Sequence, residues 1–286
     1  MAANMKAVKL RIKSVQSTMQ ITKAMQLVAA SKLRKAKEKA DKSKPYLETL
    51  LRTLKDIAKE NHDFQSPYTK TGKNDKWLYV VIAGDRGLAG GYNSNLFKFM
   101  ESETKGRDIE VLPIGKKSVE YFKHRNVPIF TEEFSEVAKV TISDCFSVAK
   151  LLCEAYKDEK FGHIFLCYTD FVSMMSQVPK ASPILPLSDL AGEVSDEDKK
   201  AKSLILYEPD SETVFNTVVP EYLAGVLYTS INISVASELA ARRTAMEAAT
   251  DNAEEMIETL SLYYNRARQA SITQEITEIV AGAEEP

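Results

Sequence analysis

Cysteine is scarce in this chain: Cys145, Cys153 and Cys167 are the only three in 286 residues. The number is odd and no CxxC occurs, so neither a disulfide framework nor a zinc site is supported. They read as small buried apolar residues. Histidine is equally sparse. His62 lies near a linker, His124 at the end of a helix and His163 at the start of a strand. Together with the cysteines they form no metal or triad pattern. No continuous apolar run approaches the ~18 residues of a membrane span. The start, MAANMKAVKLRIK, lacks the hydrophobic core of a signal peptide. The expectation is a soluble, intracellular chain whose membrane link, if any, comes through another protein.

Glycine and proline are missing where it matters most. Residues 3 to 44 contain neither, and the run from Tyr222 to Gly282 has no proline and one glycine, Gly225, before its last residue. In the C-terminal run, apolar or small residues recur at steps of three and four: Val235, Leu239, Met246, Ala249, Ala253, Met256, Leu260, Tyr263, Ala267, Ala270. Arg242 is the charged intruder on that seam. This is the heptad pattern of a coiled coil. One helix from Val226 to Ala281 would be roughly 84 Å long, too long for one small domain to cover. A second seam runs through Met5, Val8, Ile12, Val15, Met19, Thr22, Gln26, Ala29, Leu33, Ala36 and Ala40. Pro45 is expected to kink or interrupt this helix, with helical spacing resuming from Tyr46 to Lys59.

Charge is segregated although the net charge is only −2. Residues 1–44 hold 12 Lys/Arg and 2 Asp/Glu, whereas residues 221–286 hold 4 and 11. The two terminal segments therefore attract one another, by ~0.2–1 kcal/mol per exposed pair. Burial of the apolar seams supplies most of the pairing energy.

Between the helices the texture changes. Asn61 to Asp75 reads as a polar linker. Strands are expected at Trp77 to Ala83, Ile109 to Ile114, Val127 to Phe130 (short), His163 to Tyr168 and Ser203 to Tyr207. Ser94 would cap a helix beginning NLFKFM, one helix follows from about Ser118 to His124, and Ser143 would cap Asp144 to Tyr156. Residues 179–200 read as a loop, proline-marked and then acidic. The alternation predicts an α/β domain with a largely parallel sheet. The expected division is 1–60 N-terminal helix, 75–208 α/β domain and 209–286 C-terminal helix. The acidic helix outruns its partner by roughly 15 residues, or ~22 Å. Its end carries Ile272, Ile276, Ile279 and Val280 at helical spacing, an apolar tip that wants a socket.

The one stretch that invites a chemical reading is GDRGLAGGYN, Gly84 to Asn93. It follows a strand and precedes a helix, where phosphates often bind. It lacks the GK[ST] ending of a P-loop, and its glycines do not fit GxGxxG. A structural turn is the better reading, with Asp85 and Arg86 paired locally or to a neighbour. The basic first helix could bind nucleic acid, but the acidic helix is available to neutralise it and no aromatics interleave its lysines. No catalytic constellation can be assembled. A nucleotide-binding enzyme and a coiled-coil nucleic-acid binder stay as rival readings. Tight nucleotide binding by the chain alone would favour the first, and a steep salt-dependent DNA affinity the second.

Three stretches carry a resemblance: ITKAMQLVAASKLRKA (Ile21 to Ala36), DRGLAGGYN (Asp85 to Asn93) and ARQASITQEITEIVAGA (Ala267 to Ala283). With SMMSQVP (Ser173 to Pro179) and LYEPD (Leu206 to Asp210), the chain resembles the gamma subunits of F-type ATP synthases over nearly its whole length. The resemblance implies an antiparallel coiled coil of the terminal helices with an inserted Rossmann-like α/β domain. It implies a non-catalytic rotor shaft transmitting torque between a membrane c ring and a hexamer of alpha and beta subunits, whose beta subunits hold the catalytic sites. The epsilon subunit is a further implied partner. No cofactor is implied, and no nucleic acid. The bacterial style of the motifs implies a peripheral position at the cytoplasmic face of the plasma membrane. By the same resemblance, Met25, Arg268, Gln269 and Thr273 lie where the shaft meets the beta-subunit loops. Arg242 matches a position implicated in coupling, and Tyr207 and Glu208 match the foot facing the c ring. Ala89 stands where many members carry Cys, and the chloroplast-type insertion with paired cysteines is absent.

Overall fold

A computed structural model of the chain describes residues 2–60, 66–188 and 207–283. Its helices are α1 (Ala2–Glu60), α2 (Tyr92–Glu103), α3 (Lys116–His124), α4 (Ile142–Lys157) and α5 (Ser211–Ala283). The strands are β1 (Trp77–Ile82), β2 (Ile109–Ile114), β3 (His163–Phe171) and β4 (Gln177–Leu185). They form one sheet in the order β2-β1-β3-β4. β1 runs parallel to β2 and β3, and β4 runs antiparallel to β3. The α/β reading from sequence is therefore correct, with one antiparallel edge. Asp198 and its acidic neighbours, and all but the last residue of the expected strand Ser203 to Tyr207, lie outside the described residues.

Contacts group the chain into two compact units, residues 1–31 with 242–286 and residues 32–241. In the first unit, the α1 seam falls where its spacing places it: Val8, Thr22 and Ala29 are buried, and Met5, Ile12, Val15, Met19 and Gln26 half-buried. The facing seam of α5 differs from expectation at every second position. It runs Met246, Thr250, Ala253, Ile257, Leu260, Tyr264, Ala267, Ser271, all buried or half-buried. Met256, Tyr263 and Ala270 are exposed instead. The reason is that two seam positions are hydroxyl residues whose polarity is satisfied. Thr22 and Thr250 Oγ1 lie 2.8 Å apart. Each also approaches a carbonyl of its own helix, Met19 and Met246 respectively. Two hydroxyl protons serve three contacts, so one hydroxyl donates across the seam and the other to its own helix.

In the second unit, α1 and α5 again run antiparallel. Thr229 Oγ1 donates to Ser43 Oγ at 2.9 Å, and Tyr46 OH meets Glu221 Oε2 at 3.4 Å. Gly225 lies against Tyr46 and Leu47, where a Cβ would meet their carbons at 3.5 and 3.6 Å. Pro45 does not interrupt α1, which runs on to Glu60. α5 likewise starts earlier than its proline-free stretch and carries Pro220 within it. Asp210 caps α5, its carboxylate accepting from Thr213 N at 2.8 Å. The most apolar stretch of α5 has the length and composition of a membrane span, yet 72% of that stretch is buried in the protein. It is core helix: Phe215, Val219, Leu223, Leu227 and Ile231 pack with the sheet.

One sheet face joins Leu78, Val80, Ile82, Leu112, Ile164 and Leu166 to α4 (Val148, Ala149, Leu152) and to Leu54 and Ile57 of α1. The other face, with Tyr79, Val81, Val111 and Cys167, is covered by α2 (Leu96, Phe97, Met100) and by Phe122 of α3. β1 is buried on both faces, which is why WLYVVI is apolar throughout. The turn into α3 needs Gly115, whose φ is 101° and whose absent Cβ would lie 2.1 Å from the Ala83 carbonyl oxygen.

Several boundaries differ from the sequence reading. Val127 to Phe130 forms only an isolated bridge, Val111 to Ile129. Thr141, not Ser143, caps α4, because Asp144 three residues on completes a reciprocal capping box. α2 starts at Tyr92 with Gly91 before it and no side-chain cap, leaving Ser94 inside the helix. Gln177 to Leu185 is a strand despite Pro179 and Pro183, not loop. At a sheet edge, a residue whose N–H would face outward can be proline without losing a ladder bond.

Candidate functional site

The functional surface has to be sought on the helices and at their junction with the sheet, because the chemistry-bearing side chains are dispersed. Among the described residues, no three of His, Cys, Asp and Glu come together as a metal set. The cysteines are separately buried. Burial pushes the Cys145 thiol up to about 12 and the Cys153 thiol up to about 11, and raises Cys167 as well. His163 stacks on Trp77 with ring centres 4.3 Å apart.

The glycine turn is structural, and Asp85 is its anchor. Its carboxylate accepts three main-chain N–H groups, from Lys116 (3.1 Å), Val137 (3.0 Å) and Ala138 (3.0 Å). It thereby ties β1's end to the start of α3 and to the turn before α4. Gly84 N–H is taken by Asn93 Oδ1 at 3.0 Å, and Asn95 N–H by the Gly91 carbonyl at 2.8 Å. The N–H groups of Gly84, Tyr92 and Asn95 are thus taken up by the turn's own oxygens. Arg86 is exposed, its carbonyl 3.4 Å from Asn93 Nδ2.

Next to this turn lies a polar contact that periodicity gives no sign of. Tyr92 OH and Ser234 Oγ are 2.7 Å apart. Ser234 Oγ accepts Thr169 N–H at 3.4 Å, and Ser237 Oγ donates to the Thr169 carbonyl at 2.9 Å. All four residues are buried. Two serines three apart on a helix read as ordinary small residues, and only the structure shows what they face.

The seven residues singled out by resemblance fall in four places. Met25 is half-buried on α1; Arg268, Gln269 and Thr273 are exposed on α5. Counting from the Thr22–Thr250 contact, Arg268 lies 18 residues beyond Thr250, or ~27 Å along the helix, while Met25 lies on the other side of that contact. These are two levels of the helix pair and not one cluster. Arg242 is half-buried and not without a partner. Tyr207 and Glu208 immediately precede α5; Tyr207 is half-buried against the sheet core and Glu208 exposed.

The first unit leaves much apolar surface bare. On α1, Leu10, Ile21, Leu27 and Val28 are exposed, and on α5, Met256, Leu262 and Tyr263. Farther along, Ile272, Ile276, Ile279 and Val280 are 48%, 56%, 71% and 52% exposed. A soluble helix pair that works alone does not present such a surface.

A family model described as ATP synthase matches residues 4–285. The ATP synthase gamma chain of Ruminococcus albus is 48% identical over 283 residues, covering 97% of this chain and 96% of that one. This chain belongs to the ATP synthase gamma family. The sodium-ion-specific gamma chain of Acetobacterium woodii is 38% identical, with 99% of each chain covered. Among solved structures, the rotor of the Euglena gracilis mitochondrial ATP synthase matches with a TM-score of 0.64 at 17% identity. That match covers 95% of this chain and all of the other. A second Euglena gracilis structure, of OSCP, F1 and c-ring, contains a chain matching at TM-score 0.67 and 19% identity, covering 99% and 94%. These likenesses establish the shared fold. Family membership makes the chain part of an ATP-forming, membrane-associated complex.

Proposed function

We propose that the chain is the rotor shaft of the central stalk, carrying torque between a membrane c ring and a catalytic hexamer of alpha and beta subunits. The observation that carries this reading is the antiparallel helix pair of the first unit, buried along its seam and with large apolar side chains bare on its outer faces. An outer face of that kind suits a bearing made by other chains. Residues 1–60 and 209–286 serve as the shaft and 75–208 as the foot, at the cytoplasmic face of a bacterial plasma membrane, with the epsilon subunit beside the foot. Catalysis belongs to the beta subunits. Met25 and the group Arg268, Gln269 and Thr273 meet the hexamer at two levels, Arg242 serves coupling, and Tyr207 and Glu208 face the c ring.

The physics of such a shaft is differential contact. Its surface is not threefold symmetric, so each angular position presents different residues to each of three equivalent sites. Equal contact energy would shift none of them. One charge crossing 100 mV releases about 2.3 kcal/mol, so several ion steps are pooled for each ATP. A paired helix stores and passes on that work as torsion.

The test is a complex immobilised by its hexamer, with a probe fixed to the α/β domain. ATP should drive one-way rotation of the probe. Sustained hydrolysis with a stationary probe would overturn the reading.

A further inference from the structure

We infer that the contact of Ser234 and Ser237 with the main chain of Thr169 is the joint that locks the α/β domain to α5 against twisting. The inference rests on the rotor reading and adds the positioning residues through which torque passes from foot to shaft.

β1 ends at Ile82, and its last pairing with β3 is Val81 to Cys167. On the other side, Thr169 stands opposite Pro179 of β4 in a pair whose backbone groups face away from one another, so the N–H and C=O of Thr169 point to the side where β1 has already ended. Helix α5 takes over, with Ser234 Oγ accepting the N–H and Ser237 Oγ donating to the carbonyl. Residues three apart share one helix face, so both hydroxyls point to one strand residue. Tyr92 holds Ser234 from a third element, α2. Beside them, Gly84 brings its backbone so near α5 that a Cβ there would lie 3.0 Å from Glu238 Cδ and Oε1.

Most of the remaining contact between α5 and the sheet is apolar: Phe215, Val219, Leu223, Leu227 and Ile231. Such contact holds elements together without directional preference. Hydrogen bonds are directional, and a buried, connected set rigidifies what it joins. Here the bonds reach main-chain atoms of a strand that is itself paired on both sides. Load passes from the sheet backbone to the helix through two short side chains.

One detail separates a main-chain joint from an ordinary buried threonine. Thr169 Oγ1 is buried and has no hydrogen-bond partner. The joint does not use that hydroxyl, so Thr169→Val should leave it intact, whereas Ser237→Ala should not.

The experiment measures angular fluctuation of the probe on the α/β domain in the assembled, stalled complex. In Ser234→Ala/Ser237→Ala, the variance should rise about twofold or more, since the connected set is lost. Ser237→Ala alone should give a smaller rise and Thr169→Val none. Unloaded ATP hydrolysis should stay near wild type in all of them. If the double variant does not assemble, Ser237→Ala and Tyr92→Phe, which each remove one bond, give the reading. Unchanged variance in Ser237→Ala, or an equal rise in Thr169→Val, would overturn the joint. A wild-type probe that never rotates would instead overturn the rotor reading on which it rests.

Discussion

At the scale of single residues, hydroxyl groups do work that apolar periodicity conceals. Thr22 and Thr250 sit buried on facing seams, where an unpaired hydroxyl is costly and a paired one is specific to one alignment. A one-turn slip of either helix would separate them. A buried polar pair of this kind fixes register in coiled coils, at some cost in stability. The prediction is a double-mutant cycle with Thr22→Val and Thr250→Val. Only the shared bond couples the sites, because each hydroxyl also has a carbonyl on its own helix. The coupling energy from urea unfolding should be about 0.5–1.5 kcal/mol. A value of zero would make the contact incidental. Thr250 also explains a misreading. An apolar template prefers Ala249, Met256 and Tyr263, whereas the more buried positions are Thr250, Ile257 and Tyr264, the first buried and the other two half-buried. Both series alternate threes and fours, and only the satisfied hydroxyl decides between them. The α1 seam was legible because lysine and arginine interrupt its flanking faces often enough to break any rival stripe, despite the exposed Leu10, Ile21, Leu27 and Val28.

At the scale of elements, helix starts are where charge and geometry meet. Asp144 completes the capping box of α4, and hydrogen bonds from the Thr141 N–H and then the Thr141 hydroxyl hold its carboxyl below the usual range. Asp210 is lowered likewise by Thr213, N–H first and then hydroxyl. For a depressed carboxyl, the stability it lends is complete above its unfolded value and fades as pH falls through its folded value. Wild-type helicity should therefore decline on the acid side, below about pH 4. Asp144→Asn/Asp210→Asn should flatten that part of the decline, as read by circular dichroism between pH 6 and 2.5. A decline of the same depth in the variant would assign it to other carboxylates. The cap of α4 was misplaced by two residues from sequence, since Ser143 and Thr141 are both good cap residues and only Thr141 has its reciprocal acid three positions on. β4 was hidden for a different reason. Pro179 and Pro183 are breakers within a sheet, and only the strand's place at the edge makes them tolerable. The joint at Ser234 and Ser237 left no trace in the pattern, because a serine on a helix has the same appearance whatever it faces.

At the scale of the whole molecule, the first unit keeps apolar surface that its own fold never covers. The isoleucines at 272, 276 and 279 lie on α5 after Ser271, the last seam residue that is buried. Since all three are about half exposed or more, they contribute little to the chain's own stability. On the proposed rotor reading, the hexamer covers them. Replacing all three with serine separates the two roles. The melting profile of the isolated chain should be unchanged, with each substitution within about 0.5 kcal/mol of neutral. Association with alpha and beta subunits should weaken, because each side chain forfeits roughly 1.5–3 kcal/mol of burial in a socket that encloses it. Size-exclusion chromatography of the mixed subunits reads this as a shift of the chain from the complex to the free fraction. A lowered melting point with normal association would mean that α5's end packs on its own chain and that the bearing lies elsewhere. Serine is the right replacement here, because a charge would also test the electrostatics of the socket and could not isolate its apolar contact.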